Sequence, residues 1–112
     1  MFRFCSLTLM FLGGALVLSA GPAYAQAEAG AKVYAAQKCS MCHSIAGVGN
    51  KKFPLDGVGT KLTTDQIREW MVAPLEAAKK ANSTAKPVMR AYPKLEKADL
   101  DAVVAYMKSL TK

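Results

Sequence analysis

With 112 residues, 15 basic against 8 acidic side chains and a net charge of +7, the chain has room for one small domain and not for two. A basic balance first suggests nucleic acid as a partner. The N-terminus argues instead for export, where nucleic acid is rarely met, and an acidic patch on a protein partner suits the charge better.

Residues 1–25 have the pattern of a cleaved secretory signal peptide. Arg3 supplies the positive end, Leu7 to Leu18 is an almost unbroken apolar run, and Ala23-Tyr24-Ala25 is a small-x-small cleavage site. The run is short for a membrane span, which needs about 20 apolar residues. No stable membrane insertion is therefore expected after cleavage, a retained N-terminal anchor being the alternative. Cys5 precedes the run and is discarded with it. Residues 26–112 then form one exported domain in the periplasm, small enough that a bound group stapling the core would help it fold.

Ala27 to Lys38 predicts the first helix, rich in alanine. Gly30 and Tyr34 share one of its faces, either as ordinary packing or because Gly30 lets another helix come close. The helix runs into Cys39-Ser40-Met41-Cys42-His43, a C-x-x-C-H string. Two thiols at that spacing can each add across a vinyl group of one haem, and the adjacent imidazole can then bind the iron; the string is the signature of c-type haem attachment. His43 is the only histidine in the sequence. Three other readings compete. Structural zinc wants about four ligands, and residues 26–112 hold no further Cys or His, so a carboxylate would have to serve. A redox dithiol belongs beside a βαβ pattern, and no alternating strand runs are present. A plain disulfide is compatible with export but leaves the histidine without a role.

Ser44 to Lys61 reads as a loop, broken by Gly47, Gly49, Pro54, Gly57 and Gly59. It has no G-x-x-x-x-G-K-[ST] string and no strand before it, so phosphate binding is rejected. A backbone carbonyl in this loop can accept from the ring nitrogen of His43 that does not face the iron, fixing the tautomer. Thr63-Thr64-Asp65-Gln66 opens a second helix with a capping box between Thr63 and Gln66. Ile67, Trp70 and Met71 form its apolar face, and Pro74 ends it. Leu75 to Lys86 holds at most a short helix that gives way to polar loop. The final helix carries Leu100, Val103, Val104, Met107 and Leu110 at helical spacing. Glu96 and Asp99 lie near its start and Lys108 and Lys112 near its end, as the helix dipole favours. No convincing strand is found, and the fold class is all-α.

A second axial ligand for the iron would come from methionine. Met41 is locked in the attachment loop, and Met71 and Met107 lie on apolar helix faces where core packing is the default. Met89 lies in Lys86-Pro87-Val88-Met89-Arg90-Ala91-Tyr92-Pro93, an irregular segment stiffened by its prolines. It is the candidate, with a role as packing filler as the alternative.

The order of C-x-x-C-H, a Gly/Pro loop, a helix ending in Pro, Met before Tyr-Pro-x-Leu, and a last helix ending Val-Ala-Tyr-Met-Lys-Ser-Leu resembles the small soluble class I cytochromes c of bacteria. The resemblance covers nearly all of residues 30–110. It implies the small cytochrome c fold, with N- and C-terminal helices packed beside one covalently attached haem c. It places Gly30 and Tyr34 against Val103 and Tyr106, makes Pro54 the carbonyl that receives the His43 ring N–H, and puts Trp70 in the haem pocket. Many members have Pro after the distal Met; here Arg90 follows Met89 and brings a cation towards the haem edge. One residue more than in some relatives separates Tyr34 from Cys39.

The expected function is one-electron transport in the periplasm by a His43/Met89-ligated haem c held through Cys39 and Cys42, with no enzymatic step. Its partners would be redox proteins with acidic docking patches, and Lys51, Lys52, Lys79 and Lys80 are candidate steering charges. The alternatives are a five-coordinate haem that binds a gas or reduces peroxide, for which no acid–base pair is seen, and a haem subunit of a larger oxidoreductase.

Overall fold

The computed structural model describes residues 21–112. The apolar run from Leu7 to Leu18, with Arg3 and Cys5, lies outside them. Among the described residues no helix is long and apolar enough to cross a membrane.

Helix α1 spans Pro22–Ala36, starting earlier than the sequence predicts because Pro22 suits a first helical turn and the alanines continue it upstream. Ala23-Tyr24-Ala25, the stretch expected to be a cleavage site, forms its beginning. It stops before Lys38, whose left-handed backbone (φ 57°) turns the chain sharply into a short 3₁₀ turn at Cys39–Met41.

Three very short strands follow, which the sequence reading did not expect: β1 (His43–Ile45), β2 (Val48–Gly49) and β3 (Phe53–Pro54). β1 pairs antiparallel with β2 and parallel with β3, with His43 opposite Phe53 and Ser44 opposite Pro54. The β1–β2 hairpin closes through Ala46 and Gly47, both at positive φ (50° and 79°), the geometry of a type I′ turn. Alanine is an unusual residue there. Its N–H is held by Asp56 Oδ1 at 2.7 Å.

A short helix α2 (Val58–Lys61) leads to α3 (Thr64–Val72). The capping box is present in both directions: Thr63 Oγ1 accepts from Gln66 N–H at 3.2 Å, and Gln66 Oε1 from Thr63 N–H at 2.8 Å. Helix α3 stops before Pro74, which opens α4 (Pro74–Lys80), so the proline both ends one helix and starts the next. Lys80 reaches back across this corner to Glu69 at 2.6 Å.

Helix α5 (Lys97–Ser109) buries Ala102, Val103, Val104 and Met107. Ile67, Val104 and Met107 centre the core, and Tyr34, Leu62, Leu100 and Tyr106 pack on it. The approach of α1 to α5 requires Gly30: a methyl group there would overlap the Ala102 carbonyl and come within 2.6 Å of Tyr106 Cβ. Tyr34 meets Tyr106 edge-to-face with ring centroids 5.9 Å apart. The helix crossing expected from Gly30 and Tyr34 is therefore present, with Ala102 and Tyr106 as the residues met. Arg68 of α3 and Lys97 both bind the Asp101 carboxylate at 2.7 Å, which ties α3 to α5. At the far end of α5, Lys108 donates to the carbonyls of Gly59 and Leu62 and so covers the end of α2.

Candidate functional site

The attachment loop is positioned largely by its own backbone. Asn50 N–H donates to the Ser40 carbonyl at 3.0 Å, and Asn50 Nδ2 to the Met41 carbonyl at 3.0 Å. The Asn50 side-chain oxygen accepts from Lys52 N–H at 3.0 Å, an Asx turn. Asn50 therefore holds both residues that lie between the two thiols. Gly49 (φ 106°) lies against the His43 carbonyl, and any side chain there would collide with it.

Parallel pairing of β1 with β3 sets the imidazole. His43 Nδ1 is 2.9 Å from the Phe53 carbonyl. A carbonyl can only accept, so Nδ1 carries a proton, and in the neutral ring Nε2 is the nitrogen with a lone pair for a metal. The acceptor expected from the family resemblance was the Pro54 carbonyl; it is instead the preceding residue. The β1–β3 register places His43 opposite Phe53 and leaves Pro54 exposed and outside the cavity wall.

A cavity of about 560 Å³ lies beside this loop. Cys39, Cys42, His43, Trp70 and Met89 all line it, so the structure gathers the predicted site residues except Pro54. The remaining wall is mostly apolar, with Phe53, Leu55, Val58, Ile67 and Val103. Cys39 and Cys42 are free thiols, as addition to a vinyl group requires. Burial pushes the Cys39 thiol up, and Arg90 nearby draws it partly back. Tyr34, also on the wall, directs its hydroxyl to the His43 carbonyl at 3.5 Å, and burial pushes that phenol up. A second, more open concavity between α1, α3 and α5 is lined by no thiol, thioether or imidazole.

Residues 27–111 match the Cytochrome c family. The chain belongs to the cytochrome c family. No curated protein and no solved structure matches it. The chain is thus a small cytochrome c whose cofactor is a covalently attached haem c, of the electron-carrier type, and redox proteins are its class of partner. Its residues fit that cofactor: two free thiols, an imidazole whose Nδ1 is taken by a backbone carbonyl and an apolar enclosure meet at one cavity. Among the described residues no group of three His, Cys, Asp or Glu could hold a metal ion, which leaves the zinc reading without a donor set.

All four methionines after residue 25 reach this cytochrome c's cavity wall, so lining alone does not choose the second iron ligand. Met71 and Met107 are buried in helices at 5% and 6% exposure, while Met41 is 68% exposed beside the thiols. Met89 is half-buried on a non-helical segment. That segment is pinned to α3 where Tyr92 N–H donates to the Met71 carbonyl at 2.8 Å, a bond the sequence does not announce.

Of the four lysines expected to steer partners, Lys79 is paired with Glu76 and Lys80 with Glu69. Lys52 stands over the Phe53 ring at 5.5 Å. The cations on the cavity wall are Lys38 and Arg90. Sequence reasoning missed Asn50, Phe53 and Lys38. The Asx-turn pattern of Asn50 with Lys52 was the one local signal available.

Proposed function

We propose that this cytochrome c is an exported, periplasmic one-electron carrier, its signal peptide ending at Ala25, that performs no enzymatic step. Cys39 and Cys42 form the thioether links, and His43 and Met89 are the axial ligands. The observation that carries this reading is the 2.9 Å bond from His43 Nδ1 to the Phe53 carbonyl, which leaves Nε2 for iron at a cavity lined by both thiols.

When bound, the haem supplies an Fe(III)/Fe(II) couple. Phe53 orients His43 and raises its basicity as a ligand. Met89 offers a soft thioether that favours the reduced metal. Ile67, Trp70 and Val103 exclude water from the cavity, which disfavours the extra charge of the oxidised state. Acidic patches on the partner proteins would meet Lys38, Lys51, Lys52 and Arg90 rather than the paired lysines of α4.

The test is optical. The ferric holoprotein should show the weak red-end band of methionine sulfur on ferric haem, absent from Met89→Ala and retained by Met71→Ala. A band lost only in Met71→Ala reassigns the ligand. A wild-type spectrum without the band removes methionine from the iron and defeats the His/Met carrier reading. N-terminal sequencing of periplasmic material should begin at Gln26.

A further inference from the structure

Arg90 is the cation that the Met89 segment adds to the cavity wall. Its guanidinium carbon stands 5.3 Å from the centroid of the Tyr92 ring, and Nη2 donates to the Tyr92 hydroxyl at 3.3 Å. Tyr92 lines the same cavity and is itself fixed by its N–H bond to Met71 at the end of α3. The guanidinium is thus doubly held, by a cation–π contact and by a hydrogen bond to the same side chain. Lys38, the other cation on the wall, has no side-chain partner among the described residues. Arg90 likewise has no carboxylate partner among the described residues. Arg90, Cys39 and Cys42 line the one cavity, which places the charge on the wall of the space the haem would fill.

We propose that Arg90 is a fixed positive charge that biases the haem in this cavity towards its reduced state, with Tyr92 as the positioning residue that holds it there. The proposal rests on the haem reading of the cavity. One electron arrives from a donor redox protein, and the site loses one unit of positive charge. Arg90 remains protonated throughout, so no proton moves with the electron. A cation at fixed distance repels the more positive state, and removing it lowers the midpoint potential. The guanidinium is exposed, so water and salt weaken the effect without abolishing it. A tightly held charge works at one distance. A mobile one averages over many and acts less.

The experiment is a spectroelectrochemical titration of the holoprotein at about 0.01 M and about 1 M salt, where the Debye lengths are about 30 and 3 Å. At low salt, Arg90→Gln is expected to shift the reduction equilibrium about threefold to tenfold towards the oxidised form. Tenfold corresponds to about 59 mV for one electron. The shift shrinks at high salt. Arg90→Lys recovers part of the difference, and Tyr92→Leu shows a smaller shift of the same sign. The methionine–ferric-haem band stays in every variant. An unchanged or raised potential in Arg90→Gln overturns the proposal, as does an Arg90→Lys potential equal to that of Arg90→Gln. Loss of the band in Arg90→Gln overturns it too, because the residue would then act through ligation. Wild-type protein lacking covalent haem defeats the cofactor reading first, and is visible before any potential is measured.

Discussion

From Cys39 to Leu55 the chain satisfies much of its own backbone. Asn50 bonds to Ser40 and Met41, β1 pairs with two strands, and Leu55 N–H donates to the Ser44 carbonyl at 2.8 Å. From Lys86 to Ala91, across the same cavity, no backbone hydrogen bond is made among the described residues. The nearest anchor is Tyr92 on Met71. One side of the site is shaped by the polypeptide itself. The other is fixed at its end and takes its shape from what it leans on. A ligand on the first side is set by register; a ligand on the second is set by the tension between one anchor and the cofactor.

The contrast is broken most completely at the thiols. Replacing both Cys39 and Cys42 by Ser should abolish covalent attachment, read as loss of the haem mass increment and extraction of any remaining pigment by acidic solvent. Next come the two methionines that straddle the Tyr92 anchor. Met71→Ala should cost about 2–5 kcal/mol in unfolding free energy yet keep the ligation band, whereas Met89→Ala should keep the covalent haem and lose the band. Denaturant unfolding and absorption spectra together separate them. Gly49→Ala, which forces a methyl against the His43 carbonyl at a positive φ, should cost about 1–3 kcal/mol in the same unfolding assay. Asn50→Ala removes the brace of the attachment turn and should cost about 1 kcal/mol. A similar cost for Lys86→Ala, in the looser segment, would contradict the comparison.

The smallest effect lies behind both walls, at Asp101. Lys97 and Arg68 hold its carboxyl below the ordinary value of 3.8. A depressed folded-state pKa stabilises the protein above the unfolded value, and that contribution is lost as pH falls through the folded one. Wild type should therefore lose more stability than Asp101→Asn on acidification below about pH 4. Thermal unfolding of both proteins between pH 7 and 2 measures the difference, and parallel curves would remove Asp101 from the account.

Features carried by neighbouring residues were legible in the sequence. The Thr63–Gln66 capping box, the stop at Pro74 and the apolar stripe of α5 all depend on spacings within a few positions. So does the haem string itself. What escaped was set at long range or by unusual backbone. The strands are too short to show alternation, and their hairpin turns on an alanine at positive φ that Asp56 supports from outside. The acceptor for His43 was placed one residue late because strand register depends on pairing, which one sequence does not display. Lys80 looked available because its partner, Glu69, sits on another helix.

The seat of Gly30 against Ala102 joins the first helix to the last. Contacts between distant parts of a chain form late, because a long loop must close before they are rewarded. During synthesis the leading helix waits unmated until the carboxyl end has been made. The two sulfurs just behind it stay uncovered by that pairing for the same interval.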